Sequence, residues 1–338
     1  MLFTGSISWH GQVDEAARRT ENQFAFPFAR LYEFNRSKYD AWITTLECPT
    51  SHKGIEEAPG EQVPARNCHP AYLPEFTKWF DVVSLANEHT DDMGSESFIR
   101  TRMALDRHRV QHLGHYDPDS MNACEVIALP VQVEYDDGAT DENDLPVSIC
   151  GYNFVGAMPS EAAIEQIAKH AARMPTIALP HGGAENASQP DPTTKQLYRK
   201  MIDKGADIVI GSHPQSVQGS EAYDEHLIVY STGDFLSGEQ SGSEASSSAA
   251  IKATMSISGE QAGEAEQWLN LSARCKKHND SCLEAAEALS LIKPKASYDF
   301  DVVATSSLGY QPHPDSGSQQ EVERRLNWPQ TVQALPQK

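Results

Sequence analysis

Basic residues are scarce in this 338-residue chain: 27 Lys and Arg stand against 48 Asp and Glu, a formal net charge of −21 at pH 7. A field of that sign repels phosphate backbones and anionic lipid headgroups, which argues against nucleic acid as a partner. Long apolar runs are missing as well. No stretch approaches the ~18 consecutive apolar residues of a membrane helix, and the first residues carry no basic segment followed by an apolar one. The chain opens almost directly in a β-type run, Leu2-Phe3-Thr4, so any anchor or export signal is expected to be absent from this chain. Cysteine is sparse and contains no Cys-x-x-Cys: Cys48, Cys68, Cys124, Cys150, Cys275 and Cys282 are too widely spaced for a zinc ribbon, which excludes metal–thiolate chemistry. Two readings of them stay open. Either two or three disulfides form in an oxidising compartment, with Cys275–Cys282 the best-placed pair, or all six are unpaired thiols. Pairing as in an exported protein, with Cys48 and Cys68 flanking the segment before Tyr72, is the expectation carried forward.

A hydrophobic content of 39% and a mean hydropathy of −0.51 are polar for a globular protein, yet 8% aromatics and well-formed apolar runs argue for a folded core. Five short β-type runs end in a polar residue: Leu2 to Ser6, Ala41 to Glu47, Asp81 to His89, Thr176 to His181 and Asp207 to His213. Continuous apolar runs of this length suit buried central strands. Helical patterns lie between them. Ser160 can N-cap a helix whose Ile164, Ile167, Ala168 and Ala171 share a face, stopped by Pro175. A second begins at Pro192, with Leu197, Met201 and Ile202 on one face and Gly205 beyond its end. Alternating strand and helix makes the class α/β. Glu134 to Asp144 and Ser237 to Ser248 read as solvated loops; Ala250 to Ser258 alternates like a half-buried strand, and Cys282 to Leu291 reads as a helix. From Gln311 onward Pro, Ser, Gly and Gln dominate, and a loosely packed tail over 311–338 is expected.

Open α/β sheets bind ligands outside the carboxyl ends of their strands, where these runs place Glu47, Glu88, His89, His181 and His213. Carboxylate oxygens with imidazole nitrogens suit Mn, Zn or Fe. His10 or Asp14 could supply a further donor, though solvated surface is the preferred reading of both. Trp9, Trp42, Trp79 and Trp268 are read as core or rim.

Several motifs around these residues resemble those of the CapA, or PGA_cap, family of capsule and poly-γ-glutamate synthesis proteins, in the calcineurin-like metallophosphoesterase superfamily. Leu46-Glu47-Cys48-Pro49 looks like N-L-E-x-P, and Ser84-Leu85-Ala86-Asn87-Glu88-His89-Thr90 like S-L-A-N-N-H-T, with Asp92 and Gly94 in place. His181-Gly182-Gly183-Ala184-Glu185 is similar to H-W-G-x-E. Gly205 to Pro214 is similar to G-A-D-x-V-I-G-x-H-P, and Tyr230 to Phe235, which contains Asp234, resembles Y-S-L-G-N-F. The resemblance implies one domain over 1–310, including the Ser/Gly-rich stretch 237–249, as a four-layer α/β/β/α metallophosphoesterase-like sandwich. It also implies a metal centre in which two ions about 3.5–4 Å apart clamp the substrate and activate water. By that resemblance Glu47 is the carboxylate that bridges the ions, Glu88, His181 and His213 are metal ligands, and His89 is the catalytic acid. Asn87, Asp92, Glu185 and Asp234 are the residues that would support them.

Two ligand positions of the family are altered. The opening Gly-Asp is Gly5-Ser6, and the second His of H-P-H is Gln215. Glu47, Glu88, His181 and His213 therefore suffice for one four-coordinate ion but not two, and at most one divalent metal per chain is expected. The implied function is a metal-dependent, phosphoesterase-like hydrolase in capsule or poly-γ-glutamate synthesis, extracytoplasmic at the cell surface. The alternative is a catalytically impaired member that binds an anionic envelope polymer or capsule synthase components as a scaffold. The segments expected to contact substrate, 52–68, 134–150, 183–195 and 236–249, carry no motif that identifies it.

Overall fold

The computed structural model describes residues 1–51, 66–238, 247–257, 262–275 and 279–336. In chain order its strands are β1 (Leu2–Phe3), β2 (Ser6–Ile7), β3 (Trp42–Thr45), β4 (Val82–Ser84), β5 (Gln111–Leu113), β6 (Cys124–Glu134), β7 (Thr140–Asn153) and β8 (Thr176–His181). They continue with β9 (Ile208–Ile210), β10 (Ser220–Tyr223), β11 (His226–Val229), β12 (Asp234–Leu236), β13 (Ser247–Ile257), β14 (Ala296–Ser306) and β15 (His313–Pro314). One sheet runs β15-β14-β13-β1-β3-β4-β5 and the other β10-β11-β9-β8-β7-β6, while β12 pairs with β2. The centres of both sheets are parallel, β1-β3-β4-β5 and β7-β8-β9-β11.

Strand alternation sorts the apolar residues into layers. Phe3, Ile43 and Val82 from the first sheet meet Ile149, Ile177, Ile208 and Val229 from the second in one cluster between the sheets. Their neighbours Leu2, Trp42 and Val83 turn outward against α1 (Gln12–Arg18) through Val13 and Ala17, and against Phe76 of α2 (Leu73–Phe76) and Phe98 and Leu105 of α3 (Ser95–Arg107). On the far side Ala178, Val209 and Ile228 pack on Ile164 and Ile167 of α4 (Glu161–Ala171) and on Leu197 and Met201 of α5 (Pro192–Asp203). The result is the four-layer α/β/β/α sandwich. The sheets approach closely: a Cβ added at Gly151 would lie 2.8 Å from Ser84 Oγ. Trp9, Trp42 and Trp268 are core residues, and Trp79 packs partly buried against the core.

Local signals act as read. Ser160 Oγ accepts from Ala163 N at 3.3 Å, and Asp191 Oδ1 accepts from Thr193 and Thr194 N at 2.8 and 3.0 Å ahead of Pro192. Gly205, at φ +101°, turns the chain so that its N–H reaches Ile202 O and Ala206 N reaches Met201 O.

Three expectations differ from the structure. Glu134–Asp144 is mostly an exposed antiparallel hairpin, β6 with β7, turning at residues 135–139. Of the expected Ser237–Ser248 loop, 239–246 lie outside the described residues and β13 already begins at Ser247; within 52–68, residues 52–65 also lie outside them. The segment after 311, expected to be loosely packed, forms β15, α8 (Gln319–Leu326) and α9 (Trp328–Ala334), which bury Val322, Leu326, Trp328 and Leu335 in the cluster between the sheets.

All six cysteines are paired, as Cys48–Cys68, Cys124–Cys150 and Cys275–Cys282. The last links α6 (Ala262–Cys275) to α7 (Asn279–Ala288). Among the described residues no helix is long and apolar enough to cross a membrane.

Candidate metal centre

Four strand ends converge. The chain leaves β3 at Leu46, bridged to Ile7, and presents Glu47, whose N–H donates to Ile7 O at 2.9 Å. After β4 the tight segment 87–90 presents Glu88 and His89. It is braced by Asn87, whose Nδ2 donates to Leu46 O at 2.9 Å and whose Oδ1 accepts from His89 N at 3.1 Å. His181 ends β8, and His213 follows β9.

Glu88 is the hub. Its Oε2 lies 2.9 Å from His181 Nε2, and its Oε1 lies 3.1 Å from His213 Nδ1 and 3.3 Å from His89 Nε2. One ligand atom each from Glu88, His181 and His213 lie within 4.8 Å of one another. His181 Nδ1 has Ser212 Oγ at 2.9 Å. On the opposite side of the ring Nε2 faces Glu88 Oε2 without hydrogen-bond alignment, and both atoms are buried without a hydrogen-bond partner. Two buried lone-pair donors facing one another call for a shared cation, with Ser212 fixing the ring. These three residues thus fit one divalent ion. His213 also sits at φ +98°, a backbone conformation costing of order 1–3 kcal/mol that the surrounding structure must hold.

Glu47 flanks this cluster. Its Oε1 lies 3.6 Å from His181 Nε2, while its Oε2 is bound by Arg66 Nη1 at 2.7 Å, with both side chains buried. Burial pushes the Glu47 carboxyl up, but the positive charge of the His181 ring, when it holds a proton in place of an ion, and that of Arg66 outweigh it and leave the pKa below the ordinary value. Glu88 follows the same logic: burial opposes ionisation, and the two imidazoles on its oxygens hold it far below the carboxylate range. His213 is raised against the effect of burial, chiefly by Glu88 and further by Glu47 and Glu185. His89 is likewise raised against burial by its 3.0 Å contact with Asp92, with Glu88 adding to it.

The other expected residues take varied places. Ser6 is buried beside Glu47 and lies opposite Asp234 in the β2–β12 ladder. Gln215, at φ +60°, accepts from Asp234 N through its backbone carbonyl at 3.3 Å. Asp14 is engaged by Tyr72 at 2.8 Å and Arg18 at 2.7 Å and is not among the clustered donors. His10 half-buries at the entry to α1. Gly182 has no room for a side chain, since a Cβ would meet the Phe154 ring at 2.7 Å. Two residues were not singled out from the sequence: Ser212, which steers His181, and Arg66, which neutralises Glu47. The signal for Arg66 was its position two residues before Cys68, once Cys68 is paired with the residue after Glu47.

The family described as "Bacterial capsule synthesis protein PGA_cap" matches residues 1–239 of this chain. The chain belongs to that family. Among relatives, it is 25% identical over 257 residues to the capsule biosynthesis protein CapA of Bacillus anthracis, covering 70% of this chain and 59% of that protein. It is 34% identical over 89 residues to the PGA biosynthesis protein CapA of Bacillus subtilis, covering 25% of this chain and 23% of that one. The chain therefore spans less than two thirds of these relatives' lengths. Among solved structures it is similar to the calcineurin-like phosphoesterase YfkN from Bacillus subtilis, at 13% identity and a TM-score of 0.45, covering 85% of this chain and 98% of that one. Within this PGA_cap member, the donors that meet are a partial set, enough for a single ion.

Proposed function

We propose that this PGA_cap member works outside the cell in assembling a capsule-type polymer, as a binding component whose phosphoesterase-like site holds one divalent ion, Mn, Zn or Fe, and hydrolyses weakly. The observation that carries the reading is the three-donor cluster of Glu88, His181 and His213 beside positions where a hydroxyl, Ser6, and an amide, Gln215, stand in place of a carboxylate and an imidazole. When bound there, the ion supplies a Lewis-acid contact for an anionic oxygen or a water. Glu88, His181 and His213 would hold it, Ser212 orients His181, and Asp92 orients His89 and favours a proton on it. Three disulfides suit an oxidising compartment. A chain of charge −21 repels an anionic envelope polymer, and an ion at the strand ends offsets that locally; capsule synthase components are the other class of partner.

Metal content of protein purified without chelator tests this. At most one equivalent is expected, lost in Glu88→Gln and in His213→Ala, with weak turnover of simple phosphate esters and polymer retention that follows the ion. Two equivalents together with phosphodiester turnover at a median enzyme rate, on the order of 10 per second, would make the chain an ordinary two-metal hydrolase and sink the reading.

A further inference from the structure

Glu47 faces two ways. Its Oε1 looks toward His181 and the ion cluster, whereas its Oε2 makes a 2.7 Å contact with the Arg66 guanidinium, and neither side chain is open to solvent. The cluster and the guanidinium thus lie on opposite oxygens of one buried carboxylate. We infer that Arg66 is a built-in cation that takes the place a second metal ion would occupy on Glu47, and so limits the site to a single ion. This deepens the one-ion reading above and rests on it.

Chemistry and position both support the inference. A guanidinium stays protonated at any physiological pH, so a divalent ion approaching Glu47 Oε2 would meet a permanent positive charge at contact distance and would have to displace a charge-assisted hydrogen bond. The arginine is also held in place. Glu47 precedes Cys48, Arg66 stands two residues before Cys68, and the Cys48–Cys68 disulfide joins the two segments with Cα atoms 5.7 Å apart. Cys68 N donates to Pro49 O at 2.9 Å, and Arg66 N donates to Asp92 Oδ2 at 2.8 Å. Backbone and disulfide together present the guanidinium to Glu47, while Asp92 ties the same segment to His89.

The test is ion stoichiometry by calorimetric titration with Mn²⁺, paired with melting in chelator and in excess Mn²⁺, for the full chain and for Arg66→Met and Arg66→Lys. The wild type and Arg66→Lys should stop at one ion. Arg66→Met should melt lower in chelator and recover on adding Mn²⁺; with the two missing donors restored, Ser6→Asp/Gln215→His should still stop at one ion while Ser6→Asp/Gln215→His/Arg66→Met takes up two. If Arg66→Met does not fold without the ion, recovery of folded protein when Mn²⁺ is present during refolding supports the inference, and failure with and without Mn²⁺ overturns it. A triple variant that stays at one ion, with an Arg66→Met melting loss that Mn²⁺ does not repair, makes Arg66 a structural partner only and leaves the one-ion reading standing. A wild type that binds no ion overturns that reading, and the inference with it; a wild type, or a Ser6→Asp/Gln215→His variant, that binds two overturns the inference directly.

Discussion

His170 sits on α4 with Nδ1 2.8 Å from Ser148 Oγ of β7, beneath the second sheet's outer layer. Burial, helped by neighbouring Lys169, pushes its pKa down from 6.5 to about 4. Folding therefore favours the neutral ring. Between those two values the unfolded chain binds a proton that the folded chain does not, so the stabilisation is present above pH 6.5 and is lost as pH falls toward 4. The amount is on the order of 3 kcal/mol. His170→Gln should flatten that part of the acid limb in urea unfolding followed between pH 4 and 7, and an unchanged pH slope would show that His170 is not its source. The donor cluster was legible at the same scale because strand-end Glu88, His181 and His213 carry ligand chemistry after apolar runs, with Glu47 beside them. Arg66 was not legible: its partner Glu47 is 19 residues away, and only the disulfide between their neighbours closes that gap. Asp14, read chiefly as solvated surface, is instead tied down by Arg18 within the first helix and by Tyr72 from outside it, a partner that the sequence spacing does not announce.

At the scale of elements, the two-residue strand β2 matters more than its length suggests. It carries Ser6, it supplies the Ile7 carbonyl that positions Glu47, and it pairs with β12. Gly5 permits that pairing, because a Cβ at this position would lie 1.9 Å from Gly233 O, a backbone atom that cannot swing away. Gly5→Ala must push β12 off β2 or shift Glu47, at a cost of about 3 kcal/mol or more. Thermal unfolding in chelator should show that loss, and ion affinity should fall with it; a variant that melts and binds as the wild type does would mean that the β2–β12 contact can relax freely. Buried strands were readable because both their faces are apolar. The hairpin of β6 and β7 was not, since beyond Pro130 only Val131 and Val133 stay half-buried on β6, most of the other side chains are exposed, and the composition becomes that of a loop.

For the whole molecule, the family match ends at residue 239 while the core does not. β13 and β14 extend the first sheet, α6 and α7 add Trp268 and Leu283 to the cluster between the sheets, and the last elements close it. The closing elements are short. α8 offers two buried apolar positions, Val322 and Leu326, and ends in Asn327 at φ +57° before α9 starts at Trp328-Pro329; among Gln, Glu and Arg, two apolar residues give too weak a periodicity to announce a packed helix. The segment is nonetheless tied in. Ser220 Oγ donates to Leu326 O at 2.7 Å, Thr331 Oγ1 donates to Ser220 O at 3.1 Å, and the Trp328 side chain is 6% exposed. Truncating a buried tryptophan removes its transfer free energy and leaves a cavity, so Trp328→Ala should cost about 3–5 kcal/mol. Because that surface belongs to the shared core, the loss should appear as one cooperative shift of the whole urea transition rather than as a separate early phase. An early phase confined to the tail, or no shift at all, would show that residues after 311 dock on a fold that stands without them.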